Sequence, residues 1–142
     1  MKKSLFILSL VTSLFIPSLL SADSAKGLNV ILTTKDTQSQ MMAMVLSMAT
    51  LNQNKKVNLT LCSSAGDLAV KGMKSEVLKP MNKSPKMLLK AIIKKGAKVT
   101  ICPIYLPNVN KDKSVLLEGI TLATPIGGAK ELLDKDFQNL SY

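Results

Sequence analysis

The stretch Lys95-Gly96-Ala97-Lys98-Val99-Thr100-Ile101-Cys102-Pro103 decides how this chain reads. Gly96 is a helix stop, Val99 and Ile101 are strand interior, and Pro103 ends the ladder because it has no N–H to donate. Cys102 then stands at the carboxyl end of a strand, just before a loop, on the rim where open α/β sheets bind ligands. Upstream, Ser84-Pro85 is an N-cap followed by the proline favoured at the first helical position. That helix runs to Lys95 with Leu88, Leu89, Ile92 and Ile93 inward and lysines in its last turn.

Working outward, the same alternation repeats. Leu28 to Thr33 is a short apolar, β-branched run of the kind found in buried parallel strands. Thr37-Gln38-Ser39-Gln40 has capping-box spacing and opens a helix to Asn52, with Met41, Met44, Val45, Met48 and Leu51 at the helical period. Val57 to Cys62 is a second strand, and Ser63-Ser64-Ala65-Gly66 turns into a short helical stretch from Asp67 to Lys71. Met73 to Lys83 reads as a long polar excursion. Lys98 to Cys102 is the third strand, followed by a loop at Tyr105-Leu106-Pro107-Asn108. A brief helix over Asp112 to Glu118, a strand over Ile120 to Ala123, a helix over Gly128 to Asp134 and a last strand over Gln138 to Tyr142 complete the chain. Strand–helix alternation with right-handed crossovers predicts a three-layer α/β sandwich around a mostly parallel five-stranded sheet.

The first residues read as an address. Met1-Lys2-Lys3 is a positive n-region, Leu5 to Leu20 is an apolar run broken by Ser and Pro17, and small residues follow. The expected domains are therefore a signal peptide over 1–22 and an α/β domain over 23–142 in the periplasm, with cleavage after Ala22 or after Ser24. The run is short for a membrane span, so no stable membrane insertion is expected after the signal is removed.

Without Lys2 and Lys3 the chain carries 17 lysines against 9 acidic residues, a net charge of +8. These cations are scattered, with doublets only at Lys55-Lys56 and Lys94-Lys95, and arginine forks and stacking aromatics are missing. They read as a solvated surface, and no nucleic-acid partner is expected. The chain has no His, Arg or Trp, which excludes a Ser-His-Asp or Cys-His engine, His-based metal sites and arginine phosphate clamps. Neither a cofactor nor a metal is expected. If this protein does covalent chemistry, sulfur carries it.

Two bland readings stand beside that one. The methionine stripe Met41, Met44, Met48 has a soft-ligand reading for Cu(I), but its spacing is that of a core face. Cys62 and Cys102 are a disulfide candidate in an oxidising compartment, and each is also the small half-buried hydrophobe that free cysteine usually is. In a flavodoxin-like order, strand one lies between strands two and three, which sets the cysteine strands two spacings apart, roughly 9–10 Å. A disulfide needs α-carbons within about 7 Å, so a bridge would require the loops to lean together. Lys98, Lys111 and Lys113 are the nearest lysines in sequence to Cys102, and a helix beginning near Asp112 would turn its positive end towards the rim. Ser63-Ser64-Ala65-Gly66 offers backbone N–H groups to an anion but lacks the Lys-Ser/Thr pair of a P-loop.

The succession Leu28–Thr33, Met41–Leu51, Val57–Cys62 and Leu88–Cys102, with Leu117-Glu118-Gly119-Ile120-Thr121, resembles the DsrE/DsrF-like family, and most of all its small exported members. The resemblance implies a five-stranded parallel sheet between helices and assembly into trimers or hexamers. For the sulfur-relay members it also implies a persulfide-carrying cysteine in the loop after the third strand, a position that Cys102 matches. Cys62 has no counterpart in those members and is a candidate resolving thiol, and the export signal departs from their cytoplasmic setting. Two classes of function follow. One is a thiol-dependent sulfur carrier or sulfurtransferase that accepts sulfane sulfur on Cys102 and exchanges it with a donor or acceptor protein. The other is a non-catalytic small-ligand-binding or oligomeric assembly protein of the periplasm.

Overall fold

Val30 and Leu32 of β1 (Gly27–Leu32), Leu59 and Leu61 of β2 (Lys56–Leu61), and Val99 and Ile101 of β3 (Lys98–Ile101) stand side by side in register and are at most 1% exposed. Such a row is the apolar face of a parallel sheet, and each of these side chains contributes roughly 1.5–3 kcal/mol by leaving water. The computed structural model that shows this describes residues 24–142, so the expected signal peptide at 1–22 lies outside the described residues. Two further strands, β4 (Ile120–Leu122) and β5 (Phe137–Ser141), complete an all-parallel sheet in the order β4-β3-β2-β1-β5. The architecture is the expected flavodoxin-like α/β sandwich. Within it β1 lies between β2 and β5, so β2 and β3 are direct neighbours rather than two spacings apart.

The apolar face is covered by α1 (Thr37–Asn52) and α2 (Pro85–Lys94), which also pack on each other. Met41, Met44 and Leu51 of α1 are buried there, and Met44 is wholly inaccessible, so the methionine stripe belongs to the core. The α1 helix begins where the capping-box spacing puts it, but its cap is Asp36, one residue earlier. The Asp36 carboxylate accepts from the Ser39 N–H at 2.8 Å, while the Gln40 side chain donates back to the Thr34 carbonyl at 2.9 Å. The α2 cap is the expected one: Ser84 Oγ accepts from the Met87 N–H at 3.2 Å.

The opposite face of the sheet is polar. Asn29, Asn58 and Asn139 stand in register and hydrogen-bond one another, and Thr60 meets Thr100 at 3.0 Å. This face carries α4 (Pro125–Leu132), whose last carbonyls accept from the side chains: Asn29 Nδ2 donates to Glu131 at 2.5 Å and Asn139 Nδ2 to Leu132 at 2.8 Å. Right-handed crossovers explain the layering. The chain advances from β1 through β2 and β3 to β4 with helices on one face, then travels back past β1 to β5, which puts the returning helix on the other face. The outer layer is thin, since no residue of α4 is buried.

Four local expectations are corrected. Tyr105–Asn108 is not a loop but a one-turn helix, α3. Four residues are too few to show a period, and Pro107 is tolerated because first-turn N–H groups need no partner. The α4 helix starts three residues before Gly128, capped by Thr124, whose Oγ1 accepts from the Gly127 N–H at 3.0 Å. Gly127-Gly128 hides it from propensity, although Thr124-Pro125 repeats the grammar of Ser84-Pro85. The stretch after β2 is a 3-10 helix over Ser63–Ala69, and the segment expected as a helix near Asp112 is a single 3-10 turn, Lys113–Val115.

Candidate functional site

Cys62 and Cys102 each continue the ladder one residue beyond their strand: the Cys62 N–H donates to the Leu32 carbonyl and the Cys102 N–H to the Leu61 carbonyl, both at 2.8 Å. Leu61 pairs with Ile101, so the residues that follow them lie abreast on adjacent strands. Adjacent parallel strands are about 4.8 Å apart, well inside the α-carbon limit for a disulfide. The two-spacing separation expected from sequence is thereby corrected, and no leaning of loops is needed to bring the sulfurs together. Both cysteines are free thiols and half-buried.

Their electrostatics are linked. The Cys62 thiol is pushed up from about 9 to about 11, first by burial, then by its hydrogen bond with the Cys102 sulfur and the repulsion between two sulfur charges. At neutral pH Cys62 is therefore a thiol that donates its S–H to the neighbouring sulfur. Both cysteines open into one cleft of about 660 Å³, which Lys35, Ser64, Ile104 and Tyr105 also line. The cleft's lysine comes from the β1–α1 connection, which sequence proximity could not reveal. Of the three lysines near Cys102 in sequence, Lys98 is engaged with the Glu131 carboxylate of α4, and Lys111 and Lys113 border a separate hollow beside Pro103. The turn at Lys113–Val115 belongs to that hollow too, so it does not supply the helix end expected at the rim.

A clamp holds the two cysteine-bearing loops together. Tyr105, three residues beyond Cys102, is buried and lays its ring on the backbone of Gly66, four residues beyond Cys62. A Cβ at position 66 would stand 2.3 Å from Tyr105 Cδ2, so only glycine permits this approach. The Tyr105 hydroxyl donates to Asp67 Oδ1 at 2.5 Å. Burial, this hydrogen bond and the Asp67 charge hold the phenol protonated far above its ordinary range. Behind the clamp, Lys86 Nζ donates to the Val70 and Met73 carbonyls, each at 2.6 Å, fixing the chain that leaves the 3-10 helix.

Ser63 contributes the sharp exit from β2. Its φ is +50°, a left-handed conformation costly for a residue with a Cβ, and strain of this kind persists only where the surroundings enforce it. Sequence reasoning placed Cys62, Cys102 and the Ser63–Gly66 turn. It missed Tyr105, Asp67 and Lys35, and the only local trace of the clamp is a glycine where a helical stretch would prefer alanine. Among the described residues, no group of three or more His, Cys, Asp or Glu side chains could hold a metal ion. Also among them, no helix is long and apolar enough to cross a membrane.

No family model matches this chain, and no curated protein does. Solved structures do. The ychN protein from E. coli is 20% identical, with a TM-score of 0.66 over 82% of this chain and 99% of that one. A protein of unknown function from Methanobacterium thermoautotrophicum, MTH1491, is 11% identical, with a TM-score of 0.59 over 84% and 100%. A conserved protein of unknown function from Bacteroides thetaiotaomicron, BT1422, is 17% identical, with a TM-score of 0.60 over 82% and 95%. At these identities the likeness is one of fold: the described domain has the α/β sandwich of small conserved proteins that span nearly its whole length.

Proposed function

We propose that this chain is a small exported DsrE-like thiol protein that carries sulfane sulfur on Cys102. The observation that carries the reading is the pair of free, half-buried thiols abreast at the carboxyl rim, opening into one cleft whose loops are clamped by Tyr105 on Gly66. A sulfur carrier needs an accessible sulfur nucleophile and room for a small donor; Cys102 and the cleft meet these needs. The leader-like Met1–Ala22 segment supports action in the periplasm after cleavage, where a sulfur donor or acceptor protein would be its partner. The test is incubation of the reduced protein with glutathione persulfide, followed by intact-mass and peptide mass spectrometry. One added sulfur confined to Cys102, and absent from Cys102→Ser, is expected. A protein whose folded thiols never take up sulfur would refute the reading.

Assembly is the second part of the proposal. Ile126 and Leu133, at the two ends of the thin outer helix, are each 84% exposed, and a small domain with uncovered apolar side chains there suits a closed homo-oligomer, a trimer or a hexamer. If the thiols prove inert, these residues favour the non-catalytic reading, in which the oligomer holds a partner or small ligand. Light scattering on the mature protein decides the first point, since a monomer mass at micromolar concentration contradicts it.

A further inference from the structure

Cys62 is the residue that the carrier reading leaves without a task, and its placement is too specific to ignore. It lies beside Cys102 in strand register, it is a free thiol, and it faces the same cleft. A persulfide on Cys102 would therefore form within reach of a second thiol held by the ladder hydrogen bonds and by the clamp.

We propose that Cys62 resolves the Cys102 persulfide into a Cys62–Cys102 disulfide with release of sulfide, making the site a dithiol–disulfide couple driven by sulfane sulfur. The step rests on the carrier reading above and balances as follows. The Cys62 sulfur loses its proton and forms an S–S bond with Cys102 Sγ. The bond between Sγ and the sulfane sulfur breaks, and its electron pair leaves with that sulfur as hydrosulfide, which takes up the proton. The sulfane sulfur is reduced to sulfide, and the two cysteine sulfurs are oxidised to the disulfide. A small dithiol or a dithiol protein then returns the pair to the reduced state by thiol–disulfide exchange.

The alternative attack, on the terminal sulfur, only passes the sulfane sulfur between the two cysteines and releases nothing, so it is reversible. Attack on Sγ drains the persulfide because hydrosulfide escapes through the open cleft. Lys35 places a positive charge on that exit route. The reaction has a built-in delay. Cys62 is held as a thiol, and the titratable groups sharing the cleft with it are Cys102, Lys35, Asp67 and Tyr105. Release should therefore quicken by about tenfold per pH unit on the way up to the Cys62 titration, since only the thiolate attacks. Below that range the persulfide outlives loading and remains available to an acceptor.

The experiment loads reduced wild-type protein and Cys62→Ser with glutathione persulfide, removes the donor by gel filtration, and follows sulfide and intact mass over time. The wild type is expected to give up one sulfide for each loaded chain and to finish two hydrogens lighter than the reduced protein, with an intrachain disulfide between the two cysteine peptides. Cys62→Ser is expected to keep the added sulfur, with a lifetime longer by at least about tenfold. Cys62→Ala serves as the second variant and should behave like Cys62→Ser. If Cys62→Ser loads and the wild type keeps its sulfur equally long, or closes only intermolecular disulfides, the resolving role is wrong and the carrier reading survives. If neither loads on Cys102, the carrier reading is wrong and this inference falls with it.

Discussion

Gly66→Ala is the sharpest test of how the site is held together. The backbone at Gly66 does not occupy the left-handed region, so alanine meets no conformational penalty there, and the effect of the new methyl is purely steric. That methyl would sit 2.3, 2.4 and 2.7 Å from Cδ2, Cε2 and Cγ of Tyr105, closer than real carbon contacts come. The ring cannot swing aside freely, because it is 7% exposed and its hydroxyl is tied to Asp67. Overpacking of this kind costs about 1–3 kcal/mol. Urea unfolding should show the midpoint of Gly66→Ala falling by the corresponding amount with an unchanged slope, since the surface exposed on unfolding is the same. A double-mutant cycle isolates the cause. In a Tyr105→Leu background the clash partner is gone, so the alanine should cost less by on the order of 1 kcal/mol or more. Tyr105→Phe keeps the ring and should leave the penalty in place. Wild-type stability in Gly66→Ala, or an equal penalty on the leucine background, would show that the ring-on-glycine contact does not set the geometry of the two loops.

Four further outcomes are expected. Alkylation of Cys62 by iodoacetamide should rise with pH through about 11, lagging a free thiol by the shift from about 9, and a profile centred near 9 would remove the burial argument. Because the folded-state value is the higher one, the stability this thiol contributes is present below pH 9 and is lost as pH climbs towards 11; Cys62→Ser should flatten that part of a stability–pH curve. Ser84→Ala removes the oxygen that accepts from the Met87 N–H at a buried helix start and should cost about 1 kcal/mol in denaturant unfolding, with glycine there costing less. Leu61→Ala, at a side chain with no exposed surface directly before Cys62, should cost about 2–5 kcal/mol and loosen the thiol pair, seen as faster alkylation of both cysteines.

What could be read from the chain alone is what local physics controls. Val99 and Ile101 between Gly96 and Pro103 mark a strand because glycine stops the helix before it and proline cannot continue the ladder after it. Ser84-Pro85 marks α2 because a hydroxyl can accept from a first-turn N–H and the proline has none to leave orphaned. The spacing of Met41, Met44 and Leu51 marks the buried side of α1, and each of these elements formed where it was expected. Cys102 at the end of its strand, and Cys62 at the end of another, follow from the same local signals.

The relation between those two cysteines does not. Which strands become neighbours depends on crossover handedness, on which helices share a face and on the competition among strands for partners, and none of these is encoded within a few residues of either sulfur. The chosen order sets β2 against β3, and thereby turns two isolated thiols into a hydrogen-bonded pair. The same tertiary choice brings Lys35 into the cleft from the far side of β2 and lays Tyr105 on Gly66 across 38 residues between its hydroxyl and Asp67. Propensity and capping act over one or two turns of chain. The candidate site is built from contacts between segments that only the packed sheet brings within reach.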